Sequence, residues 1–363
     1  MRSTRMLTVA VLGVVSALVV AACTSDSKAK LSDAAATTTA VPLKGPQSYT
    51  VVVDGPSTLG AENLAFGTYF PKTLSARPGD TVVFENRSSN DIHTVSFGVR
   101  SDRSDQPPVV LKNGQQNPAV FGPCFTSEAP RADLAACPAK PAGPGAAPLF
   151  TGKGFWSSGV VAWATAPPEA GSKTATVKLA PDVAPGSYTV TCLLHHFMEA
   201  TLHVVATDAE RQSPAQVAAA ADRELGEARA HATAVAVPVQ APVANGATVS
   251  AGWSDQLVAV NRFAPETVSI NVGQTVTWRD ASPFMPHTVS FQPPFKSPDE
   301  PNAFLPVGGR SGARFAGGVA HSGILGPKPA FPADTFSLTF TKAGTYPYLC
   351  LLHPGMAGTV QVG

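Results

Sequence analysis

The sequence predicts an all-β protein built from two related halves in tandem, and three observations carry that expectation. Proline (34) and glycine (31) are abundant among the 363 residues while aromatics make up only 7%, the composition of short strands joined by many turns. A block repeats without a gap: Tyr69-Phe-Pro71-Lys-Thr73-Leu-Ser75-Ala-Arg-Pro-Gly79-Asp-Thr81-Val82-Val-Phe84 aligns with Phe263-Ala-Pro265-Glu-Thr267-Val-Ser269-Ile-Asn-Val-Gly273-Gln-Thr275-Val276-Thr-Trp278 at an offset of 194. Each copy then ends in a strand that leads into Cys-Leu-Leu-His-x-x-Met.

Taken in order, residues 1–22 predict an export signal. Arg2 and Arg5 precede an apolar run from Met6 to Val20, which is short for a membrane span. The run ends Val20-Ala-Ala-Cys23. Small residues before a cysteine resemble the lipobox of bacterial lipoproteins. That resemblance implies lipidation of Cys23 and anchoring on the extracytoplasmic face of a bacterial cell membrane; cleavage after Ala22 as an ordinary signal is the alternative. Residues 23–46, rich in Ala, Thr, Ser and Lys, predict a flexible tether.

The first domain is expected over 47–206. In the repeated block Val82 and Phe84, like Val276 and Trp278, share a face at period two, the pattern of a half-buried strand. Gly79 and Gly273 mark the turn before it. The offset of 194 continues to His93 and His287, each followed by Thr-Val-Ser-Phe. Between histidine and cysteine the copies differ in length, mostly through an insertion at about 100–150 in the first. A loop that long usually covers or binds something. Cys124 and Cys137 lie within it. In an oxidising compartment they predict a disulfide; an additional metal pair is the alternative, with no neighbouring histidine to support it.

Residues 207–247 predict a helix and a linker rich in Val, Pro and Ala. Ser213 and Gln216 form a capping box around Pro214, and a helix follows from Ala215 to about Ala232. The second domain is expected over 248–363.

The chemistry sits at the strand ends. A thiolate, an imidazole and a thioether fall within seven residues in Cys350-Leu-Leu-His353-Pro-Gly-Met356, with Tyr346, Tyr348 and Cys350 on one strand face. His287 upstream supplies a second imidazole. Two His, one Cys and a weak Met suit a trigonal copper with a long axial sulfur, the electron-transfer type. The same set recurs as His93, Cys192, His195 and Met198. Leu193-Leu194 and Leu351-Leu352 are expected to keep water from the metal.

These residues resemble the cupredoxins, the type 1 blue-copper proteins, with a ligand loop most like that of amicyanin and domains that are plastocyanin-like. The resemblance implies two Greek-key β-sandwich domains, each with one type 1 copper. Its ligands would be His93, Cys192, His195 and Met198 in the first and His287, Cys350, His353 and Met356 in the second. It also implies that the C-terminal histidines, His195 and His353, reach the surface as electron ports. The family often has Asn after its first histidine; here Thr94 and Thr288 stand there. The first loop has His196 and Glu199 where the second has Pro354 and Ala357.

The function expected is therefore a membrane-tethered blue-copper electron carrier that serves redox partner proteins. The alternative is a lipoprotein that buffers or delivers copper without a redox partner. An oxidase or nitrite-reductase role is not expected, because Thr191 and Leu349 rather than histidine precede the cysteines and no His-x-His occurs. A net charge of +1 without a Lys/Arg-rich run argues against nucleic acid as a partner. His203, His231 and His321 are expected to be structural or solvent-facing.

Overall fold

Each half closes a hydrophobic core between two sheets, as period-two burial along its strands requires. The protein is described by a computed structural model over residues 43–56, 63–102, 104–128, 134–137, 148–234, 246–280, 282–283, 285–296, 300, 302–308, 311–328 and 331–363. The expected export signal (1–22), Cys23, most of the tether and linker residues 235–245 lie outside these.

In the first half a four-stranded sheet runs in the order Tyr69–Phe70, Ser48–Val53, Thr81–Asn86, Thr174–Lys178. It faces a six-stranded sheet ordered Thr73–Ala76, Glu199–Val204, Gly186–Thr191, His93–Phe97, Phe155–Val161, Cys124–Thr126. Thr81–Asn86 alternates half-buried and buried positions, sending Val82 and Phe84 into the core beside Tyr49, Val95 and Val177. The second half repeats the plan. Ala313–Phe315, Thr335–Phe340, Thr275–Arg279, Gly246–Ser254 and Val258–Ala264 face Thr267–Ile270, Ala357–Val362, Gly344–Leu349, Ser290–Phe291 and Ala320–His321. Trp278, Phe291, Phe340 and Tyr348 fill its core.

The halves share a sheet. Leu64–Phe66 leaves the first sandwich and adds to the second as an antiparallel edge strand, with Phe66 opposite Val258, Ala65 opposite Ala259 and Leu64 opposite Val260. Ala259 lies 194 positions after Ala65, so repeat-equivalent segments pair with each other about a local two-fold axis. The ladder extends symmetrically: Asn261 N donates to Asn63 O at 2.9 Å and Gly67 N to Leu257 O at 3.0 Å.

The expected helix forms over Pro214–Ala234. Its capping box is closed by Ser213 N to Gln216 Oε1 at 2.7 Å and Gln216 N to Ser213 Oγ at 3.2 Å. Val217, Ala221, Leu225, Ala228 and Ala232 give it one apolar stripe. Four of these, all but Val217, join Val52, Phe66 and Phe70 of the first half and Val258, Val260 and Ala264 of the second in one cluster. The helix therefore clamps the junction of the halves.

The insertion is tied by the Cys124–Cys137 disulfide. It also carries the one-turn helix Pro118–Phe121, capped by Asn117. Phe121 and Val110 pack against Phe304, Ile324 and Phe331, as does Leu352, so this loop covers the second half beside its Cys-x-x-His turn.

Candidate metal centres

Strand order brings each distant histidine to its cysteine. His93–Phe97 pairs with Gly186–Thr191, placing Thr191 opposite Ser96, and Cys192 follows at the strand's end. The turn closes through Cys192 N to Met198 O at 3.0 Å and Met198 N to His195 O at 3.4 Å. His195 Nδ1 then lies 3.1 Å from His93 Nδ1 and 3.6 Å from Cys192 Sγ, and His93 Nδ1 lies 4.0 Å from that sulfur. The second half reproduces this. Cys350 N donates to Met356 O at 2.9 Å, His353 Nδ1 is 3.5 Å from Cys350 Sγ, and His353 and His287 meet Nδ1 to Nδ1 at 3.1 Å. Met198 and Met356 are buried in the same cores as their cysteines.

These spacings fit a metal. With bonds of about 2.0 Å to nitrogen and about 2.3 Å to thiolate, as for zinc, trigonal donors lie about 3.5–3.7 Å apart. A sulfur and two imidazole nitrogens converging at such distances, all buried, form the donor set of a trigonal copper site.

Thr94 and Thr288 tie the loops together. Leu193 N donates to Thr94 Oγ1 and Leu351 N to Thr288 Oγ1, both at 2.7 Å. Thr94 N lies 3.4 Å from Cys192 Sγ and Thr288 N 3.4 Å from Cys350 Sγ, so each sulfur accepts the same backbone hydrogen bond.

Beyond the donors the halves diverge. Asp54, fully buried, accepts from Gly55 N and Phe66 N, each at 2.6 Å, and its other oxygen lies 3.1 Å from His93 Nε2. Asp91, also buried, places Oδ2 3.5 Å from His195 Nε2. Strand register puts Gly252 where Asp54 stands, since Ser48 opposite Thr81 matches Gly246 opposite Thr275. A Cβ on Gly252 would sit 2.1 Å from His287 Nε2, and that nitrogen has no hydrogen-bond partner. Met285, fully buried, occupies the repeat position of Asp91.

Electrostatics follow. Burial pulls His93 down, but its contacts with Asp54 and Cys192 and the charge of Asp91 outweigh it and hold His93 well above the usual imidazole range. Burial raises Cys192, yet His195 and His93 bring it well below the usual thiol value. Asp91 resists burial in the same way through His195, His93 and, across the junction, His353. In the second half burial prevails. His287 is held well below its usual range, His353 falls to about 4 and Cys350 is raised. The first cluster favours a thiolate beside imidazolium; the second favours neutral thiol and imidazoles.

Comparison with known proteins agrees with this donor set. Residues 254–363 match the profile of the family described as "Copper binding proteins, plastocyanin/azurin family". The chain is 31% identical to amicyanin of Paracoccus denitrificans over 140 residues, 38% of this chain and 86% of that protein. It belongs to the plastocyanin/azurin family of copper-binding proteins. Within this cupredoxin family it is also 34% identical to plastocyanin of Scenedesmus fuscus over 102 residues, 28% of this chain and 85% of that one. Among solved structures it resembles amicyanin of Paracoccus versutus, at 24% identity and a TM-score of 0.19, covering 33% of this chain and 84% of that one. The purple cupredoxin of Nitrosopumilus maritimus gives 21% identity and a TM-score of 0.21, covering 32% and 98%.

Six of the eight expected donors converge in two groups of three, one in each half, and Met198 and Met356 are buried in the same cores. The expected surface ports do not form: His195 is 4% and His353 2% exposed, because both turns are folded inward to line one cavity with Asp91, Leu194, Leu352 and Pro354. The half-exposed His203 takes Ser187 as a partner. His231 pairs with Asp255 of the second half. His321 is buried between Ser290 Oγ and Ala303 O, a structural role. In the first turn Glu199 accepts from the Ser101 hydroxyl, and the His196 ring stacks on Phe197 at 4.0 Å. Sequence reasoning missed Asp54 and Asp91. Asp91 was within reach, two residues before His93 and opposite Met285 in the repeat. Asp54 was not, because the repeat offset changes by four residues between the first strand and the block.

Proposed function

We propose that the chain binds one copper in each half and carries electrons for redox partner proteins, held by a lipid on Cys23 at the extracytoplasmic face of a bacterial membrane. The observation that carries this reading is the buried His–Cys–His cluster formed twice at matching spacings. His93, Cys192, His195 and Met198 would hold one ion, and His287, Cys350, His353 and Met356 the other. Copper bound by a thiolate and two imidazoles supplies one-electron chemistry between its two oxidation states.

The protein's contribution is rigidity and exclusion of water. Thr94 and Thr288 fix each loop to its histidine strand, and the leucines beside each cysteine limit solvent access. Donors held by sheet ladders move little when charge changes.

Copper quantitation with visible absorption on the mature soluble chain tests the reading. Two copper ions per chain with an intense thiolate-to-copper band are expected, halved in Cys192→Ala and in Cys350→Ala. Copper bound without that band would overturn electron carriage and point to copper handling.

A further inference from the structure

We propose that the two sites are inequivalent by construction: the site in the first half has the lower reduction potential, so a single electron given to the oxidised protein resides in the second. This rests on the copper reading above and concerns what Asp54, Asp91 and Gly252 add to it.

The duplication makes the comparison a controlled one. Both sulfurs accept a backbone N–H at 3.4 Å and lie 3.9 Å from a threonine hydroxyl. The Nδ1–Nδ1 distance is 3.1 Å in both, and the cysteines and histidines are at most 4% exposed in both. Thiolate hydrogen bonding, donor spacing and ligand burial therefore do not separate the halves. The outer imidazole nitrogens do.

Asp54 accepts from two backbone N–H groups and meets His93 Nε2 at 3.1 Å, with Asp91 within 4.8 Å of it. Asp54 makes His93 a more basic ligand, as carboxylate partners of metal-bound histidines do. Asp91 adds a second buried negative charge, 3.5 Å from His195 Nε2. Both favour the more positive, oxidised state. Asp91 also acts on His353 but more strongly on His195, so Asp54 discriminates between the sites more sharply. In the second half, among the described residues, no carboxylate partners the His287 ring, and of that residue the buried Asp280 carboxyl meets only the backbone. His287 Nε2 abuts Gly252, where even a methyl group would collide with the ring, and Met285 replaces Asp91. That imidazole is the weaker donor and favours the reduced state.

The redox step is balanced within the molecule. One electron leaves the first site, which is oxidised by one unit, and arrives at the second, which is reduced by one unit; no proton is required. Both Cys-x-x-His turns line the same cavity, which gives the transfer a short protein path. Carboxylate partners change metal affinity about 10–100-fold. A tenfold preference of these partners for the oxidised over the reduced ion corresponds to about 59 mV for one electron, the bias expected between the sites.

The test is spectroelectrochemical titration of the copper-loaded protein with a one-electron mediator, following the thiolate-to-copper band and the Cu(II) paramagnetic resonance signal. Two waves are expected. Cys350→Ala, which retains the first site, should keep the lower wave, and Cys192→Ala the upper. Asp54→Asn should raise the lower wave most and leave the upper nearly fixed, while Asp91→Asn should raise the lower wave less and the upper less still. Asp54 also supports backbone, so Asp91→Asn, whose Oδ2 has no hydrogen-bond partner, serves as the second variant. Coincident waves, a reversed order, or a lower wave unmoved by either substitution would overturn the inference while the blue band still upheld the copper reading. Loss of the band in the unsubstituted protein would instead sink the copper reading.

Discussion

Single residues decide how each site is held. Thr288 Oγ1 is the acceptor for Leu351 N, and removing it strands a backbone donor beside the cysteine. Thr288→Ala should therefore cost about 1–3 kcal/mol, measured by denaturant unfolding, while Thr288→Ser should recover most of it. Asp280 shows the opposite case. It stands at the repeat position of Asn86, which donates to Asp91 O at 2.9 Å and Val161 O at 3.0 Å. Burial pushes the Asp280 carboxyl well above the usual range, and its Oδ2 has no partner. Because the folded value is raised, the unfolded chain loses its proton first, and stability falls as pH climbs above about 4. The slope approaches about 1.4 kcal/mol per pH unit. Asp280→Asn should remove this penalty. Thermal melts of metal-free protein should show a gain that is larger at pH 8 than at pH 5; an equal gain at both would refute the assignment.

At the scale of elements, the helix Pro214–Ala234 acts as a clamp. Leu225 is 7% exposed at the centre of the cluster that both halves share, and Leu225→Ala should destabilise by about 2–5 kcal/mol. Ser213→Ala, which removes one arm of the capping box, should cost about 1 kcal/mol. Both are read from chemical denaturation. This helix was legible in the sequence because Ser213, Pro214 and Gln216 state its start in local chemistry. The strands and both donor sets were legible for a related reason: period-two burial and a ligand motif are local signals, and the repeat states them twice. What packs against those elements was not. A histidine at a strand end looks the same in sequence whether its outer edge meets water or a neighbouring sheet, so His195 and His353 were expected at the surface. Nor did Leu64–Phe66 itself give any sign that it would leave its own sandwich. That segment is apolar in either setting, and only its partner Val258–Val260 reveals the exchange.

For the whole molecule, the shared sheet and the clamp make the halves depend on one another. Ala65, Ala259 and Met285, all fully buried, form a small cluster at the junction. Ala259→Glu would place an unpaired charge there. The unsubstituted protein should melt in one calorimetric transition and this variant in two, since each sandwich keeps its own core. The pairing of like with like has a further consequence. A strand that matches its own duplicate across a two-fold axis also matches itself. Released from its sister, the fragment 246–363 would expose a sticky rim whose natural complement is an identical fragment. Sedimentation should find it as a pair, with two copies of the Cys350 turn brought together in place of two unlike ones.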